Sequence, residues 1–226
     1  MTPNPGFRAG ALAAVPIMLG YFPMAVVFGV EASRVGLSTL QAGMLSVIMF
    51  AGAAQFLALA LIASGAAPLV AAGTLIAINL RHILYGPALM KAAGQPKRRW
   101  AALWSWCLTD EVFAQALATF RTGQRFSEGW ITGLGLCAYA AWVGGSVVGA
   151  WAGEELLTAW PALEAGLGFI VPALFLALLM SVASRESLPA VAVALVATVL
   201  GALVFDATGA ILSGMIAGAL AGVLIR

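Results

Sequence analysis

Residues 68–90 read PLVAAGTLIAINLRHILYGPALM, a membrane-length apolar run with Asn79, Arg81 and His82 at its centre. About 20 apolar residues are needed to span a bilayer as a helix, and this run has that length. A charged side chain near the bilayer centre costs on the order of 3 kcal/mol on insertion scales. Such a group belongs inside a bundle or against a wet cavity, and it marks a pathway. A second intrusion, Asp110-Glu111, falls about ten residues from either end of another apolar run, 100–120. Together they point to a transporter or channel.

Composition agrees. Hydrophobic residues make up 62% of the 226 residues and charged residues 9%. The mean hydropathy is +1.02. A soluble domain of this length needs far less apolar surface, so the fold class is an all-α polytopic membrane bundle within a single transporter domain, 1–226. The net charge of +2 is too small for a nucleic-acid footprint, and the basic residues read as topology signals. Cys107 and Cys137 lie in apolar runs and read as packed thiols. No cofactor or metal site is expected, because the chain has one histidine and no ligand cluster at metal spacing. The enzyme signatures G-x-S-x-G, H-E-x-x-H and the P-loop are absent from the sequence, so the chain is not expected to be an enzyme. The apolar run after Arg8 is too long for a signal-peptide core and is expected to remain as a membrane helix.

Eight segments are expected, at 9–30, 40–63, 68–90, 100–120, 129–151, 166–183, 188–205 and 208–225. The last two form either a tight hairpin around Asp206-Ala207 or one broken segment, which would make seven. Ser38-Thr39-Leu40-Gln41 predicts a capping box opening the second segment. Pro68 and Pro189 suit first helical turns, and Gly86-Pro87 should end or kink the third segment. Gly20 with Pro23, and Pro172, are expected to break the first and sixth segments and turn carbonyls toward a cavity. Orientation is undecided: with eight crossings, five basic residues fall on each side before Arg81 is placed. Glycines at 214, 218 and 222, at 129 and 133, and at 145 and 149 predict close helix contacts, either within the chain or with another subunit. Leu19-Gly20-Tyr21 through Arg34 is echoed by Leu167-Gly168-Phe169 through Arg185, which suggests an inverted repeat.

Each polar intrusion has a structural and a functional reading. On a regular helix Asn79 and His82 share one face, and Arg81 and Tyr85 another. Arg81 stays protonated, so it meets either Asp110 or Glu111 in a salt bridge, or a substrate carboxylate. His82 is either a structural hydrogen-bonding group or a proton relay. Gln55, set among small residues, is either interhelical glue or a reader of an amino acid's polar head. Asp110 and Glu111 either lock helices together or exchange a proton near neutral pH.

The strings FAGAAQF (50–56), INLRHILYG (78–86) and LTDEVFA (108–114), with Pro16 through Gly20, Pro23 and Gly29 before them, resemble the AzlC-type large subunit of branched-chain amino acid exporters. Met24 stands where that pattern often has another aromatic. The resemblance implies export of branched-chain amino acids, sometimes methionine, from the bacterial cytoplasm across the inner membrane. It also implies a small AzlD-type membrane subunit as partner, for which the glycine ridges would be docking surfaces. Joined to the residue reading, it gives an expected cavity for an apolar amino acid lined by Gln55, Asn79, Arg81, Gly20 and Pro23. Asp110, Glu111 and His82 would handle a coupled proton. The rival expectations are a passive solute channel and a scaffold subunit that moves nothing.

Overall fold

The computed structural model describes residues 5–93, 99–123, 125–159, 187–205 and 207–224, with the single positions 169, 176, 180 and 185. All regular structure among these residues is helical. The chain forms two compact units, Met1–Leu59 with Leu75–Glu164, and Ala60–Thr74 with Ala165–Arg226. Apart from positions 169, 176 and 180, the sixth expected segment, 166–183, with Pro172 and most of the second half of the sequence echo, lies outside the described residues. So does Asp206.

The first unit is framed by two long helices. α1 spans Phe7–Arg34 and α8 spans Glu128–Ala159. At a rise of about 1.5 Å per residue, both exceed the bilayer's hydrocarbon thickness. They pack in parallel along a glycine seam. A Cβ on Gly133 would stand 2.2 Å from the Phe7 carbonyl oxygen, and one on Gly149 2.0 Å from that of Val26. From the other side, a Cβ on Gly10 would meet the Trp130 carbonyl oxygen at 1.9 Å, and one on Gly29 that of Ser146 at 2.2 Å. Only glycine permits this approach, which replaces hydrophobic association where the solvent is itself apolar. The glycine pairs read from the sequence as ridges therefore serve packing within the chain. Parallel packing also means that the segments between α1 and α8 make an odd number of crossings. Three interrupted apolar segments lie between them in the chain.

Each expected segment between α1 and α8 is two half-helices. The second is α2 (Thr39–Ile48) and α3 (Gly52–Ala63). The third is α4 (Pro68–Asn79) and α5 (His82–Ala92), and the fourth is α6 (Ala101–Trp106) and α7 (Asp110–Arg121). α2 opens with the expected capping box: Ser38 N donates to Gln41 Oε1 at 2.8 Å, and Gln41 N to Ser38 Oγ at 3.3 Å. The breaks fall elsewhere than anticipated. α1 runs unbroken through Pro16 and Pro23, and α5 runs through Pro87. Proline alone does not end a membrane helix when its neighbours hold the chain straight. Between the half-helices the chain leaves the helix at Met49-Phe50-Ala51 and Cys107-Leu108-Thr109, whereas at Leu80-Arg81 the interruption is a tight turn in which Arg81 keeps helical backbone angles. These are the strings that carried the resemblance.

In the second unit α9 (Leu188–Val204) and α10 (Ala207–Leu224) form an antiparallel hairpin. A Cβ on Gly201 would press on Ser213 Oγ at 2.2 Å, one on Gly214 on Thr198 Oγ1 at 1.9 Å, and one on Gly218 on Ala194 Cβ at 2.8 Å. Contacts that retreat along α9 as they advance along α10 exclude a single broken segment. Pro189 stands in the first turn of α9, where its missing N–H costs nothing.

The seam predicts a position-specific effect on α8. Gly149→Val should sharply lower the thermal unfolding temperature of the detergent-solubilised protein, because its Cβ collides with the α1 backbone. Gly144→Ala, where nothing lies within 4 Å, should leave it unchanged. Equal effects of the two would remove the seam from the account.

Candidate functional site

Interrupting a helix in hydrocarbon strands backbone carbonyls and N–H groups that water cannot serve. At the first break, Gln55 answers this demand. It is fully buried, one turn into α3. Its Nε2 donates to the carbonyls of Met49 (2.6 Å) and Leu45 (3.3 Å) at the end of α2. Its Oε1 accepts from Trp142 Nε1 on α8 at 2.7 Å. Ser46 and Ser146 extend the network, with their hydroxyls 2.7 Å apart. Tyr139 Oη donates to the Val47 carbonyl at 3.0 Å. Gln55 thus hydrogen-bonds α3 to both α2 and α8.

The other two breaks meet through an ion pair. Arg81, at the head of α5, places Nη2 2.9 Å from Asp110 Oδ2, at the head of α7. Tyr85 Oη donates to Asp110 Oδ1. The Tyr85 ring stacks on Phe113 at 4.7 Å and meets His82 edge-on at 5.2 Å. Asp110 and Glu111 thus occupy the first turn of α7, not the middle of a continuous helix, and carboxylates are favoured there by the helix dipole. Thr109 caps the same turn, accepting from Val112 N at 3.4 Å. Glu111 reaches a different tyrosine: Tyr21 Oη on α1 donates to its Oε2 and lies 2.6 Å from Thr109 Oγ1.

Asn79 and His82 flank the turn of the third segment rather than sharing a regular helical face. His82 Nδ1 lies 3.2 Å from the Asn79 carbonyl oxygen, so Nδ1 carries the proton in that bond. Asn79 Nδ2 approaches Met49 Sδ at 3.8 Å, while its Oδ1 is buried with no hydrogen-bond partner among the described residues. Both residues line a cavity of about 260 Å³ with Ile48, Met49, Phe50, Ala51, Ser105, Trp106 and Leu108. The cavity therefore lies where the three breaks converge, with apolar walls and few polar groups. Of the expected lining residues only Asn79 is among them; Gln55 and Arg81 are not, nor are Gly20 and Pro23, which sit exposed on unbroken α1. No metal-binding cluster of histidine, cysteine and carboxylates occurs among the described residues.

A family model described as "AzlC protein" matches residues 16–156, from α1 into α8 and across all three breaks. The chain belongs to the AzlC family. It is 40% identical to the inner membrane protein YgaZ of Escherichia coli (strain K12) over 227 residues, 98% of this chain and 93% of that protein. An uncharacterized membrane protein of Archaeoglobus fulgidus is 36% identical over 221 residues, 97% of this chain and 93% of that one. The branched-chain amino acid transport protein AzlC of Bacillus subtilis (strain 168) is 24% identical over 182 residues, 80% of this chain and 69% of that protein. No solved structure matches. The chain is thus a membrane protein of a transport family.

For this AzlC-family chain, sequence reasoning missed Tyr21, Thr109 and Trp142 as members of the polar network. A usable signal existed for the first. The chain has three tyrosines, and a phenol buried in hydrocarbon needs a partner. All three serve a break or its carboxylates.

Two substitutions follow. Gln55→Leu should cost about 1–3 kcal/mol in detergent unfolding, because it strands the Met49 carbonyl and the Trp142 N–H together. A cost no larger than that of Ser146→Ala would contradict this role. For the ion pair, Arg81→Ala and Asp110→Asn should each lower the yield of folded protein, and the double change should recover part of it. Strict additivity in that cycle would mean that the pair is not coupled.

Proposed function

We propose that the chain is the large subunit of a two-subunit exporter that moves branched-chain amino acids, with methionine in its range, out across the bacterial inner membrane by proton antiport. The observation that carries this reading is the convergence of three half-helix breaks on a small apolar cavity, with the Arg81–Asp110 pair at the heads of two of them. The name of the Bacillus subtilis relative supports the substrate class. A cavity of about 260 Å³, just below the usual range for small-molecule sites, suits one amino acid.

In this reading the unpartnered Asn79 Oδ1 accepts from the substrate ammonium. Arg81 and the N-terminal end of α5 draw the carboxylate, in competition with Asp110. Ile48, Met49, Trp106 and Leu108 take the branched side chain. Gln55 keeps the wall in shape, and the Asp110–Glu111 dyad couples the proton. The partner is a small AzlD-type membrane subunit. Its contact surface lies away from the glycine seams, which α1 and α9 already cover.

Counterflow in proteoliposomes tests the reading. Vesicles loaded with unlabelled leucine should take up labelled leucine, valine and methionine saturably when both subunits are present, and not with either alone. Absence of exchange in every preparation, with monodisperse folded protein, would reject it.

A further inference from the structure

The two carboxylates at the head of α7 stand in chemically opposite company. Asp110 faces donors: the Arg81 guanidinium has no acceptor to offer, and Tyr85 donates to the other oxygen. A proton on Asp110 would remove the counter-charge of a guanidinium held among half-helix ends. The pair is half-exposed, so the penalty is smaller than for a buried one, but it disfavours a proton on Asp110 for as long as Arg81 faces it.

Glu111 faces hydroxyls. Its Oε2 meets Tyr21 Oη, and Tyr21 Oη lies 2.6 Å from Thr109 Oγ1 in a buried contact. Tyrosine and threonine hydroxyls each donate once and also accept. With Glu111 ionised, Thr109 donates to Tyr21 and Tyr21 donates to Glu111. With Glu111 protonated, the Tyr21–Glu111 bond reverses, Glu111 donates to Tyr21, and Tyr21 turns its proton to Thr109. Thr109 Oγ1 keeps the Val112 N–H as a donor in either case. No heavy atom has to move and no buried charge is stranded; the one hydrogen bond lost in the reversal is that of the Thr109 hydroxyl proton, which no longer has Tyr21 as its acceptor.

We propose that Glu111 is the carboxyl that carries the coupled proton, that Tyr21 and Thr109 form the relay serving both of its states, and that Asp110 stays ionised as the partner of Arg81. This rests on the exporter reading above and divides the work of the dyad. The chemistry is one O–H bond, formed on Glu111 with a proton taken from water on one face of the membrane and broken to return it on the other. Among the described residues, the titratable groups that interact with the dyad are Tyr21 on α1 and Arg81, His82 and Tyr85 at the head of α5. Of these, Arg81 is the permanent cation, and it faces Asp110.

The test is infrared pH-difference spectroscopy of the full complex in lipid, run beside pH-gradient-driven leucine accumulation. A titrating carboxyl C=O band is expected in the unaltered protein. Glu111→Gln should abolish that band and reduce accumulation to the level of empty vesicles. Asp110→Asn should leave the band in place. Glu111→Asp, a second variant that keeps a carboxyl, should retain the band at a displaced frequency. Tyr21→Phe should move its pH midpoint, which a purely packing role would not do. A band that survives Glu111→Gln, or vanishes only in Asp110→Asn, overturns the proposal, as does a Tyr21→Phe midpoint identical to the unaltered one. If the unaltered complex shows the band but no counterflow, the exporter reading fails while the proton assignment is still decided by the spectra.

Discussion

Hydrocarbon supplies no hydrogen bonds, and this chain interrupts three of its membrane helices. Every other feature of the first unit answers that constraint. The open end of α2 is closed by Gln55 and Tyr139, which between them take the carbonyls of Leu45, Met49 and Val47. The open head of α7 is closed by Thr109 and carries two carboxylates, each met by a tyrosine. Arg81 at the head of α5 neutralises one of them. Polar residues in this membrane domain are not scattered impurities; they are the counterparts of broken backbone.

The long helices make this arrangement possible. α1 delivers Tyr21 and α8 delivers Tyr139, Trp142 and Ser146, so two of the three breaks are held from the frame. Glycine at the α1–α8 seam sets how near these side chains come. The same device appears at smaller scale where Gly135 admits Cys107, at the second residue beyond Ser105, and where Gly52 admits the Trp142 ring. A Cβ at either glycine would stand 2.6 Å from the atom it now accommodates.

Much of this was legible in the residues. The Ser38–Gln41 cap follows from the capping-box pattern, and the pairing of Arg81 with a carboxylate from the cost of charge in lipid. The position of the breaks did not follow. Gly20, Pro23 and Pro87 carry the ordinary marks of interruption, yet α1 and α5 continue through them. The real breaks at Phe50, Arg81 and Leu108 contain no proline, and they exist because tertiary partners far along the chain satisfy them. Gln55 reaches 87 residues to Trp142, and Tyr21 reaches 88 to Thr109. Periodicity reads neighbours within a turn or two, so it is blind to such partners. The same limit explains why Gln55 looked equally suited to substrate and to scaffold.

The hairpin of α9 and α10 has a consequence of a different kind. At 17 residues between Ser187 and Phe205, α9 is about 26 Å long, a few ångströms short of a typical hydrocarbon core. The long helices of the first unit have length to spare, whereas α9 has none. Lipid beside it must thin, or its polar ends must be drawn inward. Acyl-chain length thereby becomes a mechanical load on one part of the protein, and bilayers of different thickness will not be equivalent hosts for it.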